Sequence, residues 1–167
     1  MPPRHHTPAD AAEALVAVAP LVSRWIERLL TRHDPPLTVA QYLALRAIAR
    51  EGVSGSELAR RTGVSGPAVS QLLAALEDAG LIERHAVAGD RRRQALALSA
   101  RGERAFLSAE ALLRDQLATL LAPLPTPEAD ALARSLPRVE AELSGAPPPR
   151  RPVPPPSRHE RPRRPRP

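Results

Sequence analysis

The sequence predicts a mainly α-helical protein carrying one small β-hairpin. Three observations lead there. Hydrophobic residues make up 43% of the chain but aromatic residues only 2%, so the core is aliphatic, and leucine and alanine at such density favour helices. Apolar residues recur three and four apart through most of the chain, between stops written in Gly and Pro. One stretch departs from that period: two short strand-like runs, Leu81–His85 and the alternating Gln94–Leu98, flank Gly89-Asp90-Arg91-Arg92-Arg93, as the two strands of a hairpin would.

The 167 residues suffice for one domain with a real core and appendages. With no cysteine, disulfides, thiolate metal sites and thiol redox sensing are excluded. No run reaches the ~18 apolar residues of a membrane span. The first apolar run contains Asp10 and Glu13 and continues in helical period, unlike a signal peptide, so a cytoplasmic protein is expected. Net charge is +6, and every basic residue is Arg. Residues 145–167 hold seven arginines and one acid, whereas residues 1–144 hold seventeen of each. The basic excess therefore belongs to the tail and says nothing about the fold.

Residues 1–9, with three prolines, are expected to fray. His5 and His6 read as a solvated pair rather than metal ligands, since no other ligand lies near in sequence. From Asp10 to about Leu30 the pattern is helical, with Leu15, Val18, Val22, Ile26 and Leu29 on one face. Pro20 should bend or divide this helix. Trp25, the only tryptophan, suits interface packing, or else a pocket wall. His33-Asp34-Pro35-Pro36 breaks the helix. Thr38 caps a second one to about Arg50, its apolar positions being Val39, Tyr42, Leu43, Leu45, Ile48 and Ala49, with Gly52 as its stop.

Two short helices follow. Ser56 is expected to cap Glu57–Thr62. Ser65 caps the next helix, which carries Pro67 in its first turn, where a missing N–H is harmless, and ends at Gly80. The spacing within this pair is specific: a small residue where the helices meet (Ala59), a turn glycine four later (Gly63), and apolar locks at Leu58, Val64, Val69, Leu72 and Leu76. That is the pattern of a helix–turn–helix. With Val69, Leu72 and Leu76 inward, Ser65, Pro67, Ser70, Gln71 and Ala74 face out as candidates for the major groove of double-stranded DNA. The hairpin beyond, with its tip at Ala86–Arg93, forms a wing. Ser99 then caps a long helix to about Leu121 with Phe106, Leu113, Leu117, Leu120 and Leu121 in its stripe. Thr126 caps a last helix to about Leu143, with Leu132, Leu136, Val139 and Leu143 on one face and Pro137 expected to kink or shorten it. The Pro/Arg-rich tail cannot form a packed core. It serves either as an added DNA-binding arm or as a solvated extension.

Residues 57–103, from Glu-Leu-Ala-Arg-Arg through Asp90-Arg91-Arg92 to the Leu-x-Leu-Ser-x-x-Gly run at Leu96, Leu98, Ser99 and Gly102, resemble the MarR family of winged helix–turn–helix transcriptional regulators. The likeness extends across roughly residues 10–143. It implies a homodimer in which residues 10–37 and 99–143 form a helical dimerisation domain and residues 38–98 the DNA-binding domain. It further implies that Asp90 braces Arg92 for insertion into the minor groove, where the negative potential is enhanced, while Arg91 and Arg93 meet phosphates. Arg60, Arg61 and Arg84 are further phosphate candidates. The helix from Ser65 to Ala79 has no basic residue, a departure from many relatives, so Gln71 and Ser70 are left as its base readers. Relatives of this kind respond to small aromatic anions, for which Trp25, Tyr42 and Arg46 are candidate linings.

The expected function is a homodimeric repressor on a pseudo-palindromic operator, released by a small aromatic or anionic effector. The alternative is a winged-helix module that binds protein instead of specific DNA. An enzyme is not expected: there is no Ser/His/Asp or Cys/His constellation, no phosphate-cradling glycine loop, and no metal or cofactor motif.

Overall fold

The computed structural model describes residues 7–62, 65–87 and 90–145; the side chains of 51, 56, 60–62, 86, 87, 90–94, 144 and 145 fall outside the description. The chain runs α1 (Pro8–Thr31), α2 (Val39–Glu51), α3 (Gly55–Thr62), α4 (Gly66–Asp78), β1 (Ile82–Val87), β2 (Asp90–Leu98), α5 (Ala100–Leu121) and α6 (Thr126–Gly145). The expected fold class is the observed one: mainly helical, with a two-stranded antiparallel sheet.

Local chemistry sets the helix starts. α1 begins earlier than Asp10. Thr7 is its N-cap, Pro8 opens it, and Thr7 and Asp10 exchange bonds in a capping box. The Thr7 amide and hydroxyl hold the Asp10 carboxyl below its ordinary pKa. The reciprocal cap replaces the fraying expected for residues 7–9. Pro20 does not divide α1, which is one element of 24 residues, and α6 likewise continues past Pro137. α2 starts on Thr38 and Gln41 in a second capping box and ends on Gly52 in the left-handed region. α3 is capped by Ser54, not Ser56: the Glu57 amide donates to Ser54 Oγ at 3.3 Å. Thr126 is the first residue inside α6, where the Glu128 and Ala129 amides donate to the Pro125 carbonyl.

One core gathers Leu30, Leu37, Ala44, Leu45, Ile48, Val53, Leu58, Val69, Leu73, Leu76, Leu81, Ile82, Leu96, Ala105, Phe106, Ala109 and Leu113. On α2 the inward residues are Ala44, Leu45 and Ile48, whereas Leu43 and Ala49 face out. On α4 it is Leu73 that is buried, with Leu72 half-buried. His33 is buried where α1 meets α2. Its Nδ1 lies 2.8 Å from the Pro35 carbonyl and its Nε2 2.8 Å from Ser108 Oγ on α5, so it pins the link to the long helix.

The hairpin is longer than expected. Ile82 pairs with Leu98 and Ala86 with Gln94, but Val87 pairs with Asp90. Arg91, Arg92 and Arg93 therefore lie within β2 as an irregularity in the ladder, not in a loop at the tip. Such bulges bend a strand and raise its twist.

The long helices leave the core unevenly. Of the eleven exposed large hydrophobic residues among the described ones, ten lie on α1, α5 and α6, among them Leu15, Val16, Leu21, Leu120, Leu136 and Leu143. Among the described residues of α6 none enters the buried core. Among the described residues no helix is long and apolar enough to cross a membrane.

Candidate nucleic-acid interface

α4 presents a polar face built by its apolar one. Val69, Leu73 and Leu76 are buried at spacings of four and three, which turns Pro67, Ser70, Gln71 and Ala74 outward; all four are exposed, as is Ser65. Ser65 takes the extended N-cap conformation, but its side chain makes no capping hydrogen bond. The expected Ser65 cap is thus one of backbone shape only. Exposed Ser65 stands beside the N-terminus of α4, a place that favours an anion.

α3 supports α4 closely. A Cβ on Gly55 would sit 3.0 Å from Leu73 Cδ1, and Ala59 packs half-buried against the core. Arg60 and Arg61 lie on α3, but their side chains, with Gly63 and Val64 of the turn, are outside the described residues.

At its far end α4 stops on a two-bond cap. The Gly80 amide donates to the Glu77 carbonyl at 2.8 Å and the Leu81 amide to the Leu76 carbonyl at 2.9 Å, the Schellman pattern. It requires positive φ at Gly80, which stands at +66°. Beyond it, Arg84 Nε on β1 donates to Glu77 Oε2 at 2.8 Å. Arg84 is thus tied to the end of α4. The backbone of Asp90, Arg91, Arg92 and Arg93 lies in β2, at the end of the hairpin away from the core; their side chains are not described.

The residues singled out for an effector are partly brought together. Tyr42 on α2 is half-buried, its ring centroid 6.0 Å from that of Phe106 on α5. Burial raises its pKa, Glu110 adds to the rise, and Arg46, Arg50 and Arg114 oppose it. Arg46 reaches Glu140 of α6 at 3.3 Å. Arg50 and Arg114 both bond Glu110, the latter at 3.9 Å. Trp25 is half-buried on α1, and among the described residues its ring makes no contact with that of Tyr42. Phe106, Glu110, Arg50, Arg114 and Glu140 are the partners that sequence reading missed. The four-residue spacings Arg46/Arg50 and Glu110/Arg114 were visible, but not that α2 and α5 face each other there. No three His, Asp or Glu side chains cluster as a metal site would need, among the described residues.

Two close helices joined by a short turn, then a hairpin, all flanked by long helices, define a winged helix–turn–helix protein. Residues 36–93 match the family model described as MarR family. The HTH-type transcriptional repressor Rv2887 of Mycobacterium tuberculosis is 34% identical over 107 residues, covering 64% of this chain and 77% of that protein. The crystal structure of Rv2887 with p-aminosalicylic acid superposes with a TM-score of 0.63 at 30% identity, over 77% of this chain and 97% of that one. A MarR family protein from Bacillus stearothermophilus shares the fold, with a TM-score of 0.70 at 23% identity over 81% and 94% of the two chains. The chain belongs to the MarR family of transcriptional regulators.

Proposed function

We propose that this protein is a homodimeric transcriptional repressor that reads a pseudo-palindromic operator and leaves it when a small aromatic acid binds. The observation that carries the reading is the exposed face of α4, Ser65 to Ala74, held between α3 on one side and the Gly80–Leu81 cap at its end. Gln71 pairs with adenine, a contact worth about 1–3 kcal/mol of discrimination, and Ser70 assists. Ser65 and the helix N-terminus meet a phosphate. Asp90 directs Arg92 into the minor groove, while Arg91, Arg93, Arg60 and Arg61 hold the backbone. Arg84, bonded to Glu77, serves the interface by keeping the strand against α4.

Dimerisation is supported by the uncovered apolar faces of α1, α5 and α6, since an apolar face left open by its own chain gains stability when a partner covers it. Residues 10–37 and 99–143 form that interface, and residues 38–98 the DNA-binding unit. The effector reading rests on Arg46 beside Tyr42, a cation next to an aromatic ring, with Trp25 as the wall from α1. The Rv2887 structures hold p-aminosalicylic and salicylic acid.

The test is selection of bound fragments from random and genomic DNA with the purified full chain, followed by titration of salicylate into the complex. Recovery of a two-fold symmetric site, lost at A·T positions with Gln71→Ala, is the expected outcome. Failure to enrich any site would replace this reading with a protein-binding winged helix. Salicylate release abolished by Arg46→Gln would support the effector site; unchanged release would remove Arg46 from it.

A further inference from the structure

The recognition helix is joined to the long helix α5 at a small, tightly bonded crossing that DNA contact does not explain. Ser99 stands at its centre. Its hydroxyl donates to the Gly80 carbonyl at 2.6 Å and accepts from the Gly102 amide at 3.0 Å. Its own amide donates to the Leu81 carbonyl at 3.1 Å. Gly80 and Leu81 are the two residues that cap α4, and Gly102 lies in the first turn of α5. One side chain therefore bonds into the end of one helix and the start of the other.

Steric fit closes the crossing. A Cβ on Gly102 would fall 1.8 Å from the Leu81 carbonyl oxygen, so the two backbones touch. Leu76, Leu81, Ile82, Ala105 and Phe106 are all buried around it. Two bonds from Ser99 to the end of α4, over buried packing, leave little freedom for α4 to turn against α5. Farther along β1, the part-exposed pair Arg84–Glu77 adds a second tie to α4, and exposed pairs of this kind hold weakly.

We propose that Ser99 is the positioning residue that fixes the recognition helix on α5 and thereby sets the separation of the two recognition helices in the dimer. The inference rests on the dimeric reading above. Two half-sites one helical turn apart demand a fixed separation, and α5 is the long element that runs from this crossing to the uncovered apolar face at Leu120 and Leu121. A movement of α5 reaches α4 at Ser99, where β2 ends and the hydroxyl and amide bond Gly80 and Leu81.

The experiment compares the full-length wild type, Ser99→Ala and Ser99→Thr. Each is used to select DNA from a library of two half-sites at varied separation, with dimer mass and helical content measured alongside. Wild type should prefer one separation. Ser99→Ala should lose about tenfold affinity at that separation, keep its affinity for a single half-site, and accept neighbouring separations. Ser99→Thr, which retains the hydroxyl, should restore the narrow preference. If Ser99→Ala keeps the wild-type preference, or loses affinity equally for every DNA including the single half-site, Ser99 is only a helix cap and the proposal falls. If wild type itself shows no paired-site preference, it is the dimeric operator reading that fails.

Discussion

Replacing Gly102 with Ala sets two effects against each other, and the structure decides the sign. Helix propensity alone favours alanine in the first turn of α5 by about 1 kcal/mol. The new Cβ would meet the Leu81 oxygen at 1.8 Å and its carbonyl carbon at 2.7 Å, where ordinary contact begins at 3.4 Å. The obstacle is backbone, so no side-chain rotation relieves it. Overpacking of this kind costs about 1–3 kcal/mol. Parting the two segments also stretches Ser99 N–Leu81 O and Ser99 Oγ–Gly80 O, each contributing about 1 kcal/mol. The net expectation is a loss of about 2–4 kcal/mol. For a chain of this size that is a fall in Tm on the order of 5–15 °C. The assay is a thermal melt followed by circular dichroism at one fixed protein concentration, because dimerisation makes Tm concentration-dependent. A melt unchanged or raised would mean that propensity wins and that α4 and α5 do not touch as described.

Further outcomes follow from other parts of the molecule. Tyr42 is the only tyrosine, so its ionisation can be read directly by ultraviolet absorbance. Burial raises its folded pKa above 10.0, so the folded state holds the proton longer than the unfolded chain. The stability linked to it is complete below about pH 10 and falls as pH rises through the folded value; a midpoint at or below that of the urea-unfolded protein would contradict this. Leu136→Glu with Val139→Glu places charges on the uncovered face of α6 and should convert dimer to monomer in sedimentation velocity; a surviving dimer would exclude α6 from the interface. Thr38→Ala removes the acceptor of the Gln41 amide and should cost about 1 kcal/mol in urea unfolding.

Much of this could be read from residues in order. The caps at Thr38 and Ser99, the stop at Gly80 and the outward set Ser65, Pro67, Ser70, Gln71 and Ala74 depend on bonds and spacings within one turn of helix, which are local. So does the aliphatic stripe of each helix. Errors came where a local rule had a competitor nearby. Ser54 caps α3 because the hydroxyl three residues before Glu57 reaches its amide, and Thr7 with Asp10 orders residues assigned to a frayed end. Of the two outcomes expected at each proline, division or early ending is excluded at 20 and 137, since α1 and α6 run on past them.

What the order of residues determined is the set of elements, the helix–turn–helix spacing and the placement of net charge in the tail. What only the tertiary structure decided is how those elements meet. Gly102 looks like a weak point in a helix until Leu81, twenty-one residues earlier, is seen against it. Arg84 looks like a free cation until Glu77 is found at 2.8 Å. The stripes of α1, α5 and α6 look like core until the core is seen to close without much of them. Periodicity identifies a face that must be covered, because apolar surface is unfavourable in water wherever it lies. The cover depends on contacts between residues distant in sequence, or on another chain, and those exist only once the chain has folded.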